Sequence, residues 1–156
     1  MILKTREIPL VRFRADLPAQ LEPVGKAFVE IDARPAGMVN QAFMAARDKL
    51  AQAAKIREMR MARIEDEVDR AIAKEDSDRT SGAEWLGLVY DTCVIAWRTN
   101  LIDGETDQPL TPTRETFLDL ADVRIPQVAD MFVRFQTEVL QAGADAAEAD
   151  AATIKN

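Results

Sequence analysis

From Ser81 to Arg98 the chain carries charge at only three positions, Glu84, Asp91 and Arg98. Their spacing of seven sets them in one file along a helix. Every other face would hold Trp85, Leu86, Leu88, Val89, Tyr90, Cys93, Val94, Ile95, Ala96 or Trp97. A helix apolar nearly all round must be covered by its neighbours, so residues 82–98 are expected at the centre of the domain. Ser81 with Glu84 three positions on forms a capping-box pattern and predicts the helix start there. The polar run Asp76–Thr80 before it reads as a linker.

The N-terminal third favours strands. Residues 7–15 alternate Ile8 and Leu10 against Val11 and Phe13, with Pro9 marking an edge or a strand start. Lys26 to Asp32 sets Ala27, Val29 and Ile31 on one face and Phe28 on the other. Two strands this close predict an antiparallel hairpin that must pack on helices.

The longest periodic segment, about Pro35 to Lys74, reads as one helix. No Gly or Pro lies between Met38 and Asp78 to interrupt it. At 1.5 Å per residue it would span ~60 Å, more than a domain of this size is wide. It either breaks near Ala51–Lys55 or projects as an arm, and the arm is the sharper expectation. Ile56, Met61, Ile64, Val68 and Ile72 recur along it at helical spacing. Its charge is segregated. Residues 47–63 hold six basic and two acidic side chains, whereas residues 64–78 hold seven acidic and two basic. A solvated helix face explains this, and antiparallel pairing with a second copy of the chain is the functional alternative. Glu65-Asp66-Glu67 is rejected as a metal site, because successive side chains diverge on a helix.

After the apolar helix, Asp103-Gly104 signals a turn. A short helix then begins at Thr111 with Pro112 at its first position, or at the competing cap Thr113. A last helix starts near Asp122 or Ile125-Pro126, buries Val128, Phe132, Phe135 and Val139, and ends near Ala142 with Gly143 as its C-cap. Residues 144–156 read as a disordered acidic tail.

The fold expected is α+β and predominantly α-helical. A small N-terminal antiparallel β-hairpin (1–34) leads to a long helix (35–75) and a three-helix C-terminal bundle (81–142). That makes one domain over 1–142, with 143–156 as the tail.

Composition narrows function. Among 156 residues there is no histidine, which excludes histidine bases, Ser-His or Cys-His nucleophile pairs and histidine-ligated zinc. The single Cys93 reads as a small buried hydrophobe. A net charge of −7 argues against nucleic acid as partner. No apolar run approaches the ~20 residues of a membrane span, and no signal peptide is visible, so a cytoplasmic location is expected. No cofactor, metal or catalytic set is expected, and an enzyme is disfavoured.

Trp97 closing an apolar helix, then Asn100, Asp103-Gly104, Pro109-Leu110 and Thr113 in the loop, then Phe117 in a short helix, form a recognisable series. It resembles the tail assembly chaperones of long non-contractile-tailed phages, also found in prophages and gene-transfer-agent clusters. The likeness covers roughly the last two-thirds of the chain and is carried by structural residues. It implies a mostly helical protein of the host cytoplasm that coats the tape measure protein before tail-tube polymerisation and is absent from the mature particle. It also implies a longer, frameshifted form that recruits the tail-tube protein. On that reading the client-binding residues are Ile56, Met59, Met61, Ile64, Val68 and Ile72, with Met38 and Met44 assigned to the domain's own core. The alternative is a structural neck or head–tail joining protein of a phage-like particle.

Overall fold

Val29 and Ile31 alternate with Phe28, Glu30 and Asp32, a period of two that puts apolar and polar side chains on opposite faces of a strand. In the computed structural model, which describes residues 7–18, 21 and 25–155, this segment is strand β2 (Phe28–Ala33). It pairs antiparallel with β1 (Val11–Asp16), setting Phe13 opposite Ile31 and Arg14 opposite Glu30. The expected hairpin is therefore present. What was expected of residues 1–6, 19–20, 22–24 and 156 lies outside the described residues.

The sheet has a third strand that was expected as helix. Residues 94–99, VIAWRT, form β3 on the free edge of β2, with Trp97 opposite Ile31 and Arg98 opposite Glu30. β-branched and aromatic side chains suit a pleated surface, and an unpaired edge beside them supplies backbone partners that solvent would otherwise provide. Phe13, Ala15, Val29, Ile31 and Trp97 are buried on the inner face. On the outer face Arg14 and Arg98 both donate to Glu30.

This pairing dictates the middle of the chain. Ala33 lies opposite Val94, and Arg34 donates its N–H to the Cys93 carbonyl at 2.7 Å. Residues 34–93 must therefore leave the sheet and return to it. One unbroken helix cannot do so, whatever its local propensity. The chain instead forms α1 (Gln41–Met61), turns through Ala62–Asp66, and comes back as α2 (Glu67–Cys93). The break falls beyond the Ala51–Lys55 region expected. Asn40 caps α1 by accepting from the Phe43 N–H, and its Nδ2 reaches the Pro35 and Thr92 carbonyls. Asp66 caps α2 by accepting from the Asp69 N–H. Ser81 and Glu84 thus lie inside α2, not at a capping box, and 76–80 is helix, not linker. Met38 is exposed in the turn before α1, outside the core where it was expected, while Met44 packs against the core.

β4 (Ile102–Asp103) and β5 (Gln108–Pro109) form a small hairpin around Asp103-Gly104, in which Asp103 accepts from the Glu105 N–H. The next helix, α3 (Arg114–Asp122), takes the competing cap: Thr113 and Thr116 form a reciprocal capping box, leaving Thr111 and Pro112 outside. Then α4 (Pro126–Ile154) crosses the inner face of the sheet, with Phe135 edge-on to Phe13 at 5.6 Å.

Gly143 does not end α4, and 143–154 is helical rather than disordered. Two causes are visible. Alanine has the highest helix propensity of any residue, and residues 144–152 are rich in it. Gly143 serves close approach: a Cβ built there would sit 1.6 Å from the Ala36 oxygen. The α+β, predominantly helical class stands, with the hairpin enlarged to three strands and the long helix folded back on itself.

Candidate partner-binding arm

Phe43 and Trp85 meet edge to face at 5.7 Å at the base of the α1–α2 pair. Beyond that point the arm has no core, since no residue from Met44 to Trp85 is buried. Its helices are clasped by Arg57, which donates to both carboxylate oxygens of Glu84 at 2.9 and 2.8 Å and to Ser81 Oγ at 3.3 Å. The bidentate geometry favours both charges, raising the arginine's pKa and lowering that of Glu84 below its ordinary value. Arg57 Nε, among the described residues, is a buried nitrogen without a hydrogen-bond partner. At the tip, Arg70 Nε donates to the Ile64 carbonyl at 3.0 Å.

The six candidate client-binding residues, five of them expected to form one stripe, are divided by the turn. Ile56 (51% exposed) and Met59 (56%) lie on α1, while Val68 (67%) and Ile72 (61%) lie on α2. Met61 and Ile64 are half-buried at the end of α1 and in the turn. Met59 sits two positions past Arg57, about 200° round the helix, and so faces away from α2. Val68 and Ile72 lie about 160° and 120° round α2 from Glu84, and so face away from α1. The arm therefore shows large apolar side chains on its outer surfaces and joins its helices through a polar clasp. Arg57 as clasp was not legible in the sequence, because its partners lie 24 and 27 positions away and the hairpin register alone brings them together.

The residues of the Trp97–Phe117 series have structural roles. Trp97 Nε1 donates to the Thr113 carbonyl at 3.1 Å. The Asn100 side chain accepts from the Phe28 N–H at 3.0 Å and donates to the Lys26 carbonyl at 2.7 Å, tying β3 to the start of β2. Leu110 donates its N–H to the Leu101 carbonyl. Glu84, Asp91 and Arg98, the charged file, each find a partner: Arg57, Arg114 and Glu30.

Cys93 is 1% exposed, and burial pushes its thiol pKa up against a smaller opposing effect from the Thr92 hydroxyl. Such a thiol is expected to stay unmodified by iodoacetamide at pH 8 until the protein is denatured, as intact-mass spectrometry would show. Among the described residues, no helix is long and apolar enough to cross a membrane, and no cluster of acidic or sulfur side chains could hold a metal ion. Comparison of the chain with known protein families, with curated proteins and with solved structures finds no match.

Proposed function

We propose that the protein is a phage tail assembly chaperone. It binds the tape measure protein through the α1–α2 arm in the host cytoplasm, before the tail tube polymerises, and performs no catalysis. The observation that supports this reading is the arm itself. Two helices without a core of their own present Ile56, Met59, Val68 and Ile72 to solvent. Isolated helices gain most of their stability from packing an apolar face, and a long amphipathic client helix would supply such packing. Flexible methionine suits a client that offers many different apolar segments.

The sharpest test uses Met59→Glu with Val68→Glu. Both positions are exposed and face away from the opposite helix, so the fold should be kept. Met61 and Ile64 are poorer choices, since they also pack within the arm. Co-expressed with the tape measure protein, the double variant is expected to lose at least about tenfold in affinity, the equivalent of ~1.4 kcal/mol. Undiminished co-purification, with a wild-type circular dichroism spectrum, would defeat the assignment of the arm. The longer, frameshifted form and its contact with the tail-tube protein remain part of the proposal. In that form residues 143–154 would extend α4 as a helical spacer in place of a flexible tether.

A further inference from the structure

Ile56 and Arg60 on α1, with Arg63 in the turn just beyond its end, are spaced four and three and all exposed. Asp69, Ile72 and Asp76, spaced three and four, form a matching file on α2 and line one shallow groove. Ile56 sits about 100° before Arg57, and Ile72 and Asp76 about 120° and 80° before Glu84. Because the two helices run in opposite directions, rotation in the same sense carries both files to the same side of the arm. That side is basic and apolar along one helix, and mainly acidic and apolar along the other, where Arg79 lines the same groove beside Asp76.

We infer that this side of the arm is a homodimer interface, in which α1 of each copy packs against α2 of a second copy of the chain. A face with opposite charges on its two helices is complementary to itself under a two-fold axis parallel to the arm. That axis keeps neighbouring helices antiparallel, as in a four-helix bundle built from two hairpins, and preserves height along the arm. Arg57 is level with Ser81 and Glu84. Arg60, three residues further out, and Arg63, in the turn beyond it, lie on the tip side of that clasp, as do Asp76 and Asp69. Asp76 already holds Arg79 of its own chain at 2.7 Å in an exposed pair, which a second guanidinium joins without displacing. Ile56 and Ile72, both exposed in the single chain, are covered in the dimer, which leaves Met59 and Val68 as the exposed apolar side chains for a client. The second copy also supplies the core that residues 44–85 lack. The inference concerns the chain alone and does not depend on the tape measure reading.

Light scattering on the purified chain tests it, with a dimer expected at twice the chain mass of 17.4 kDa. Arg60→Glu with Arg63→Glu should give monomers, and so should Asp69→Arg with Asp76→Arg. An equimolar mixture of the two variants should recover the dimer, because each basic file again meets an acidic one. The wild-type dimer should also weaken between about 0.1 M and 1 M salt, where the screening length falls from about 10 Å to about 3 Å. A wild-type chain that stays monomeric in low salt would overturn the proposal and leave this face to the helical client. So would charge-reversed variants that remain dimeric, or a mixture that stays monomeric while both variants keep a wild-type circular dichroism spectrum. Should either variant fail to fold, a wild-type dimer indifferent to salt would overturn it as well.

Discussion

Phe117→Ala is expected to lower the free energy of unfolding by about 3–5 kcal/mol, the usual cost of truncating a fully buried phenylalanine. The upper part of that range is the better expectation here. Phe117 is completely buried, and its ring meets Tyr90 at 4.9 Å, Phe132 at 5.1 Å, Trp97 at 5.5 Å and Phe135 at 6.2 Å. These neighbours come from α2, β3 and α4, so the ring is where three elements converge on α3. Aromatic pairs at such separations add roughly 0.5–1.5 kcal/mol each beyond the area they bury, and they are lost together. The cavity cannot close easily, because the surrounding rings are held elsewhere: Trp97 by its hydrogen bond to the Thr113 carbonyl, Phe135 by Phe13. Domains of ordinary size have only about 5–15 kcal/mol in hand, so the loss should shift the urea midpoint well outside experimental error. Ile154→Ala, at a position 85% exposed, is the matched control and should leave the midpoint where it was. A Phe117→Ala variant within about 1 kcal/mol of wild type would remove this ring from the centre of the core.

That convergence was only half visible in the sequence. The alternation at 28–33 and the stripe Val128, Phe132, Phe135 and Val139 express burial through local period, and both were read correctly. Val94–Trp97 was not, because it follows a helix without a glycine or proline between them, and the seven-residue file of Glu84, Asp91 and Arg98 continues across the change. The choice of strand there is made by the free edge of β2, a tertiary cause that leaves no local trace. The return of the chain at Ala62–Asp66 has the same origin. Good helix formers fill the turn, and the sheet forces the reversal from residues 33 and 94. Of the six candidate binding residues, Ile56, Met59, Val68 and Ile72 are exposed apolar side chains. The grouping of Ile56, Met61, Ile64, Val68 and Ile72 into one stripe assumed an unbroken helix, and once the chain folds back Ile56 lies on a different helix from Val68 and Ile72.

Gly143→Ala is the substitution on which the sequence pattern and the packing disagree most. At a C-cap in the left-handed region, glycine to alanine costs about 1 kcal/mol, and asparagine is the best tolerated replacement. Within an exposed helix the same change would stabilise by nearly as much, since alanine has the higher propensity. Neither setting is found. Gly143 keeps helical backbone angles, the described glycines with positive φ being Gly25 and Gly37. Its missing side chain is what lets α4 lie against residue 36. An added Cβ would stand 1.6 Å from the Ala36 oxygen and 2.6 Å from its carbonyl carbon, both backbone atoms that no rotamer change can move. Relief requires α4 and the segment after β2 to separate, which breaks the bond from the Ala36 N–H to the Val139 carbonyl at 3.1 Å. It also lifts Phe135 and Val139 from the sheet they cover. The expected cost is about 3 kcal/mol, at the top of the usual range for overpacking. Gly143→Asn should be worse still, since its longer side chain enters the same contact. The order of the two variants in thermal or urea unfolding decides between the assignments. An asparagine variant more stable than the alanine variant would place Gly143 at a helix end after all and remove the close contact with Ala36.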